Sequence, residues 1–191
     1  MKTNKLYPIF IKMDSITTLI VGGGKVAAEK LHFMLKSSPD AQIRLVSKHY
    51  SSQVRSLIQG NPAVEVIKSE YVKEHLQGIG LVIAATNSKK INRLIMYDAT
   101  CDNILVNVAD TPDLCQFYLG GIVTKGDLKI AISTNGRSPV LAKRLRGFFE
   151  QVIPENLQIL LGNLENIRNK VGADLQKKTA LLNELTSSYV K

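Results

Sequence analysis

The stretch that most constrains this chain is a run of three glycines behind a short apolar segment. Residues 17–21 read TTLIV, which is β-branched or apolar throughout and typical of a parallel strand buried on both faces. Gly22, Gly23 and Gly24 come next, and apolar residues then recur at helical spacing from Val26. A strand, a glycine turn and a helix in this order predict a dinucleotide-binding turn, in which the helix start faces a pyrophosphate.

The glycine pattern is G-x-G-x-x-A, formed by Gly22, Gly24 and Ala27. Gly22 permits the tight turn out of the strand, Gly24 leaves room for a pyrophosphate, and Ala27 lets the helix pack close to the strand. The alternative is a glycine-rich turn that binds no ligand, because the pattern alone is a weak signal. The strand before it, the helix after it and its place at the start of a βαβ pattern favour binding.

The length and charge of the chain limit the classes of function. The 191 residues suffice for one ordinary domain and a small accessory unit. The net charge of +9 suits an anionic partner, but it does not choose between nucleic acid, a membrane surface and a small polycarboxylate. No signal peptide is recognisable, and no apolar window approaches the ~20 residues of a membrane span. We therefore expect a cytoplasmic protein.

The cysteines and histidines do not form a metal-binding pattern. Cys101 and Cys115 make no CxxC and have no histidine at metal-ligand spacing. The three histidines are scattered along the chain. We assign no metal site and no disulfide.

Apolar runs alternate with helical patterns over the first 112 residues, which predicts an α/β fold with a Rossmann-type parallel sheet. An extended segment at residues 6–11 comes first, and Pro8 suggests an edge position for it. The predicted strands are 17–21, 42–46, 64–67, 79–85 and 104–108, and the predicted helices are 26–37, 52–59, 70–76 and 88–101.

The alternation stops after residue 112. Residues 117–123 and 128–133 are apolar runs joined by the turn sequence TKGD, which predicts an appended hairpin, with pairing to another subunit as one use for it. Ser138 as N-cap and Pro139 at the first helical position then open a helix, and further helical patterns follow up to residues 173–189. We divide the chain into a nucleotide-binding domain, a hairpin region and a small C-terminal helical domain, at residues 1–112, 113–147 and 148–191.

Ligands of open α/β sheets bind outside the carboxyl ends of the strands, so the residues there are candidates for the site. Thr86 follows the fourth strand behind two alanines, which leave space for a cofactor. Asp110 follows the fifth strand, where a carboxylate could act as general base or orient a substrate. The alternative for Asp110 is a turn residue before Pro112. Asn107, near the same end, either contacts the ligand or caps a loop.

The end of the second strand lacks the acidic residue that often binds the adenosine ribose in nicotinamide-binding folds. Ser47, Lys48 and His49 stand there instead. Lys48 could favour a 2′-phosphate, so these residues leave NAD and NADP both open.

The loop at residues 134–138 combines backbone and hydroxyl donors at a helix start with a guanidinium group, which suits carboxylates or phosphates. The alternative is an ordinary N-capped turn with a solvated arginine. The candidates for substrate binding are Thr134, Asn135, Arg137 and Ser138.

Four stretches of the chain carry a family resemblance: LYPIFIKM, LIVGGGKVAAEK, VNVADTPDLCQF and AISTNGRSPVLAKRLR. Together they are similar to the precorrin-2 dehydrogenase and sirohydrochlorin ferrochelatase family, and to the N-terminal module of siroheme synthase. The resemblance implies NAD-dependent oxidation of precorrin-2 to sirohydrochlorin in siroheme biosynthesis. It also implies a Rossmann domain, a dimerisation hairpin region and a small helical domain, assembled as a homodimer.

The resemblance also implies roles for individual residues. Asp110 matches the aspartate of the NVxDxP motif, which serves dehydrogenation and, where present, chelation. Lys25 and Val26, like Lys48 and His49, match cofactor-contacting positions, and this match favours NAD. Thr134 stands in a loop where related enzymes often have serine.

Three hypotheses follow. The first is the dehydrogenase, and the second is a bifunctional enzyme that also inserts iron. The third is a nucleotide-sensing regulatory module whose basic helices contact nucleic acid, although no recognition-helix motif is visible. We favour the first, with a tetrapyrrole substrate, a second copy of the chain as partner, and neither nucleic acid nor membrane.

Overall fold

Parallel strands build the first half of the chain, as their apolar sequences predict. The computed structural model describes residues 4–170 and 175–187. One five-stranded sheet has the order β3-β2-β1-β4-β5, and every neighbouring pair in it is parallel. Its strands are β1 (Thr17–Val21), β2 (Gln42–Val46), β3 (Val64–Ile67), β4 (Ile79–Ala84) and β5 (Leu105–Val108). This is the predicted Rossmann-type α/β sheet.

Three α-helices connect the strands: α1 (Lys25–Ser37), α2 (Ser52–Ile58) and α3 (Lys89–Cys101). Serine hydroxyls cap two of them, since Ser51 Oγ accepts a hydrogen bond from Val54 N and Ser88 Oγ accepts one from Ile91 N. The helix predicted at residues 70–76 is instead a single 3₁₀ turn at Lys73–Leu76. A second 3₁₀ turn, Pro112–Leu114, follows β5.

The sheet is covered on both faces, which explains why β1 is apolar at successive positions. Leu19 packs on one face in a cluster with Ile95 of α3. Ile20 packs on the other face in a cluster with Leu31 of α1. All four side chains are completely buried. Strands with no solvent-facing side are expected to read as continuous apolar runs.

The described residues contain one buried carboxylate, and a tyrosine hydroxyl donates a hydrogen bond to it. Asp98 of α3 is buried, and the Tyr71 hydroxyl donates to its Oδ2 over 3.1 Å. Burial raises the pKa of Tyr71, and the hydrogen bond to Asp98 and the charge of that carboxylate raise it further. The tyrosine therefore stays protonated and keeps donating.

The chain divides into two compact units. The first comprises residues 1–119 and 135–137, and the second comprises residues 120–134 and 138–191. The division proposed from sequence at residues 112 and 147 stays a prediction. Residues 6–11 join neither sheet, and the side chains of Tyr7, Ile9 and Phe10 are exposed, so the edge position suggested by Pro8 is not seen.

The second unit contains the predicted hairpin. Strands β6 (Gly121–Lys125) and β7 (Leu128–Ile132) pair antiparallel around a turn at Gly126. Three helices follow: α4 (Pro139–Val152), α5 (Leu157–Lys170) and α6 (Leu175–Thr186). The strand predicted from residue 117 begins only at Gly121, and the helix predicted at residues 173–189 extends at both ends outside the described residues.

Helix α5 holds the hairpin turn. Gln158 Oε1 accepts a hydrogen bond from Asp127 N over 2.7 Å, and Gln158 Nε2 donates to Asp127 Oδ2 over 2.7 Å. Lys125 on the same turn forms an ion pair with Glu155, just before α5. The Gln158 amide thus forms hydrogen bonds with both the backbone N–H and the carboxylate of Asp127.

Candidate dinucleotide-binding site

The candidate site lies where β1 and β4 end side by side. The chain runs from β1 outward to β2 and β3, and then returns to β4 on the other side of β1. In open α/β sheets, ligands bind in the crevice at such a switch point. Gly22 N donates to Val46 O of β2 over 2.9 Å, and Ala85 N donates to Val21 O over 2.8 Å. The glycine turn is therefore anchored to the strands on both sides.

The three glycines have different surroundings. Gly22 has φ +135°, and a Cβ there would collide with the carbonyl group of Ala85. A Cβ on Gly23 would collide with the carbonyl group of His49. A Cβ on Gly24 would meet nothing within 4 Å. The first two glycines are thus required by the fold, and the third leaves open space in front of α1.

The start of α1 offers backbone donors to an anion. Gly24 caps the helix without a side-chain hydrogen bond, and the first helical bond runs from Ala28 N to Gly24 O. The preceding first-turn N–H groups, including those of Lys25 and Val26, have no partner within the helix. Helix N-termini with this geometry bind phosphate groups, so the open space at Gly24 fits a pyrophosphate.

Lys48, at the end of β2, is held by an acidic residue that follows β3. Its Nζ lies 2.7 Å from Glu70 Oε1. The hydrogen bond from Lys48 and its charge hold the pKa of Glu70 below the usual value. The sequence did not single out Glu70, because a side-chain ion pair between two separate loops has no periodic signal.

Tyr50 fixes the backbone beside His49. Its hydroxyl lies 2.7 Å from Ile67 O, to which it donates, and accepts a hydrogen bond from Ser47 N. Burial raises the pKa of this tyrosine. The ends of β2 and β3 are therefore tied together behind the loop that carries Lys48 and His49.

Thr86, at the end of β4, is bound by an asparagine within α3. Asn92 Oδ1 accepts hydrogen bonds from Thr86 N over 3.2 Å and from Thr86 Oγ1 over 2.6 Å. Asn92 Nδ2 donates back to Thr86 O over 3.1 Å. Asn92 is buried, and the sequence analysis missed it. Its only signal was an amide at helical spacing from Ile95 and Ala99, on the buried face of α3.

Asp110 lies in a tight turn beyond β5, on the same edge of the sheet as the glycine turn. Thr111 N donates to Val108 O over 3.2 Å, and Asp110 within this turn has φ +57°. Ala109 N donates to Ala84 O over 2.9 Å, which ties the turn to the end of β4. The Asp110 carboxylate is exposed, and in residues 4–170 and 175–187 it makes no hydrogen bond or ion pair.

The residues after this turn cover the outer edge of the sheet. Gln116 N donates to Val106 O of β5 over 2.9 Å, and Val106 N donates to Gln116 Oε1 over 3.1 Å. Asn107 Nδ2 donates to Phe117 O over 2.8 Å. These bonds explain why β6 starts later than predicted. They also engage the buried Asn107 amide within the fold, so its cofactor role stays a prediction.

The Cys115 thiol contacts the backbone of the turn that carries Asp110. Its Sγ accepts a hydrogen bond from Val108 N over 3.3 Å, and lies 3.2 Å from Val108 O and 3.4 Å from Thr111 O. Burial raises the pKa of this thiol, so it stays protonated and can donate to either carbonyl. No pattern in the sequence indicates this role for Cys115.

The loop before α4 has the predicted capping geometry. Ser138 Oγ accepts a hydrogen bond from Leu141 N over 3.2 Å, which confirms Ser138 as the N-cap. Thr134 Oγ1 accepts one from Ser138 N over 3.1 Å. Asn135 is left-handed, with φ 54°, and Arg137 is exposed. Both hydroxyl groups shape the loop, and Arg137 is its cationic group.

Among the described residues, every helix is too short or too polar to span a membrane. Residues 4–170 and 175–187 contain no cluster of three or more His, Cys, Asp or Glu side chains that could hold a metal ion.

Curated relatives resemble the chain over most of its length. A siroheme synthase from Nitrosomonas europaea is 34% identical over 164 residues, which are 86% of this chain and 34% of that protein. A siroheme synthase from Pseudoalteromonas translucida is 38% identical over 164 residues, with the same two shares. The chain thus spans about a third of the length of these relatives.

A solved structure titled "SirC, precorrin-2 dehydrogenase" has the same fold. Its TM-score is 0.73 at 23% sequence identity, and the match covers 94% of this chain and 89% of that one. This likeness, together with the sheet order, confirms the predicted fold class.

Two family models match the sequence. One, described as "Sirohaem biosynthesis protein central", covers residues 125–151, and the siroheme resemblance seen in the four sequence stretches is thereby confirmed. The other, described as "Putative NAD(P)-binding", covers residues 9–121, from before β1 to the start of β6. Because this second model spans more than half of the 191 residues, the chain belongs to the NAD(P)-binding family that it describes.

Proposed function

We propose that this chain oxidises precorrin-2 to sirohydrochlorin, with NAD as the hydride acceptor, in siroheme biosynthesis. The observation that carries the proposal is the tie between Ala109 and Ala84, which holds the Asp110 turn at the strand end next to the glycine turn. The matches to siroheme synthases support the choice of pathway. The proposal includes a homodimer, as the family resemblance implies, and a cytoplasmic location, as expected from the sequence.

The cofactor fits the residues present. The open space at Gly24 and the donors at the start of α1 suit a pyrophosphate, and Lys25 and Val26 supply the first of these donors. Bound NAD supplies the acceptor for a hydride. Backbone lies against Gly22 and Gly23, so the dinucleotide is proposed to approach the turn at Gly24.

The chemical role of the chain is to orient the substrate and remove a proton. The oxidation takes two electrons and two protons from the macrocycle, as one hydride that goes to NAD and one proton that goes to a base. Asp110 is the proposed base, acting directly or through a water, and such groups typically contribute about 10²–10⁴-fold to a rate. No covalent intermediate on the protein is required.

Binding of a polycarboxylate substrate suits the loop at residues 134–138. The guanidinium of Arg137 is exposed at a helix start, where carboxylates bind favourably. Thr134, Asn135 and Ser138 shape the loop around it. Arg137→Ala should therefore raise the KM for precorrin-2 roughly tenfold, as expected for one charged hydrogen bond, and leave NAD affinity unchanged.

The decisive experiment supplies precorrin-2 and NAD to the purified chain and follows NADH and sirohydrochlorin. We expect the two products in equal amounts. Asp110→Asn keeps a residue type that tolerates a left-handed backbone and removes the carboxylate, so its kcat should fall at least ~10²-fold with the Kd for NAD unchanged. Asp113→Asn, which changes an exposed acid three residues further on, is the matched control and should stay active.

The outcomes test the proposed reaction and the proposed role of Asp110 separately. Absence of NADH with the unaltered chain would reject the reaction. Full activity in Asp110→Asn would leave the reaction standing and remove Asp110 from the proton transfer.

A further inference from the structure

The segment after β3 supplies a carboxylate at the edge of the sheet where β2 has none. Ser47, Lys48 and His49 occupy the end of β2, where dinucleotide folds often place an Asp or Glu against the adenosine ribose. Glu70 follows β3 instead, and its Oε1 lies 2.7 Å from Lys48 Nζ. A carboxylate therefore stands at the expected edge of the sheet, although a different strand supplies it.

The position of Glu70 follows from the sheet register. Val46 and Ile67, the last residues of β2 and β3, are paired, so the residues after them leave the sheet at the same edge. Ser47 N donates to Ile67 O over 3.2 Å, and Ser69 Oγ donates to Glu70 O over 2.9 Å. The backbone that carries Glu70 is thus attached to the backbone that carries Lys48.

The ion pair sets the charge that a ligand meets. Because Lys48 is paired with Glu70, its attraction for the 2′-phosphate of NADP is reduced. The side chains of Lys48 and Glu70 are 60% and 73% exposed, so both are within reach of a ligand. Lysine at hydrogen-bond distance holds the pKa of Glu70 low, so the group is a carboxylate at neutral pH.

We propose that Glu70, positioned by Lys48, accepts hydrogen bonds from the adenosine ribose hydroxyls and selects NAD over NADP. A carboxylate accepts hydrogen bonds from two hydroxyls, but it repels the negative charge of a 2′-phosphate. The inference rests on the dinucleotide site described above and deepens the proposed function, since it names the residue that makes the cofactor NAD.

The test is the ratio of the Kd for NADP to the Kd for NAD, measured by calorimetry on the full chain. The unaltered chain should bind NAD more tightly. Glu70→Gln should lower the ratio roughly five- to tenfold, because repulsion is removed and Lys48 is released to meet the 2′-phosphate. Adenosine 2′-phosphate as a competitor should gain affinity in the same variant, and added salt should weaken this gain.

The chain offers a matched control on the same two strands. Glu65 of β3 pairs with Arg44 of β2 over 2.8 Å, and both lie inside the sheet rather than beyond its carboxyl edge. Glu65→Gln removes an equivalent exposed acid and should leave the ratio unchanged. Partial unfolding weakens both affinities equally, so the ratio reports specificity alone.

Three results would overturn the inference. They are a preference of the unaltered chain for NADP, a ratio in Glu70→Gln within twofold of the original, and an equal shift in Glu65→Gln. In each of these the chain still binds a dinucleotide, so the oxidation of precorrin-2 stands. A preference for NADP would, in addition, replace NAD as its hydride acceptor. A chain that binds neither NAD nor NADP would reject the inference and the proposed function together.

Discussion

The Cys115 thiol spans the turn that carries Asp110, because its sulfur lies 3.3 Å from Val108 N and 3.4 Å from Thr111 O. Cys115→Ala should lower the free energy of unfolding by about 1 kcal/mol and reduce kcat several-fold, with the Kd for NAD unchanged. Cys115→Ser restores a donor and acceptor and should recover part of the rate. Rates and chemical denaturation of the two variants check this.

Cys101 provides the control for that prediction, since it is the other free cysteine and is exposed. Cys101→Ala should match the unaltered chain in both measurements. Equal behaviour of the two alanine variants would mean that Cys115 does not position the turn.

The glycine turn gives a prediction that separates folding from binding. Gly24 has φ −90° and open space around its Cα, so Gly24→Ala should fold, with a loss of at most about 1 kcal/mol because alanine is the poorer N-cap. Its added methyl group would occupy the space proposed for the pyrophosphate, and NAD affinity should fall at least about tenfold, as expected when charged hydrogen bonds are lost.

Gly22→Ala should instead destabilise the fold. Its positive φ and the nearby Ala85 carbonyl predict a loss of about 1–3 kcal/mol in folding free energy from backbone strain alone. Melting curves and calorimetry on both variants provide the comparison. A Gly24→Ala protein that binds NAD normally would show that the pyrophosphate lies elsewhere.

The hydrogen bonds between Asn92 and Thr86 predict that the Asn92 amide contributes to the stability of the fold. Asn92→Ala leaves the backbone groups of Thr86 without their partner and should lower the free energy of unfolding by about 1–3 kcal/mol. Asn87→Ala, which removes an exposed amide from the same loop, should have almost no effect. Urea denaturation of both variants tests this, and equal midpoints would show that the Asn92 amide contributes nothing.

The burial of Tyr71 and its hydrogen bond to Asp98 make the free energy of unfolding fall at alkaline pH. The ordinary pKa of tyrosine is 10.0, and it is raised in the fold by burial and by Asp98. The unfolded chain therefore loses this proton first, and stability is lost as the pH rises above 10.0 towards the folded pKa. Tyr71→Phe should be less stable at neutral pH but should lose less stability above that value.

Tyr97 is the control for the alkaline titration, because its side chain is largely exposed. Tyr97→Phe should keep the original pH dependence. An unchanged alkaline slope in Tyr71→Phe would assign the loss of stability to other groups.

Sequence periodicity predicted the elements well where local pattern and packing agree. The strands at residues 42–46 and 64–67 have the predicted bounds, since the apolar residues of each strand stop at a polar residue, Ser47 or Lys68. The start of β6 was misplaced because residues 115–117 hydrogen-bond along the edge of β5, and no local pattern announces this pairing.

Helical spacing places Leu141 and Phe148 on one side of α4, yet the two residues are 49% and 55% exposed. A helical stripe shows which side chains point the same way. It does not show what covers them.

The site was only partly visible in the sequence. The glycine turn and Asp110 could be placed because strand ends define one edge of the sheet. Glu70, Asn92 and Cys115 could not, because each acts through side-chain hydrogen bonds or an ion pair, and such contacts leave no repeat in the sequence.

The contact between Gln158 and Asp127 bears on how the second unit can be divided. The match to the sirohaem central family ends at residue 151, before α5 begins. A fragment cut there would lose both hydrogen bonds of Gln158 and leave the hairpin turn to water. The shortest segment that can be transplanted into another protein with its hairpin intact is therefore longer than the segment by which the family is recognised.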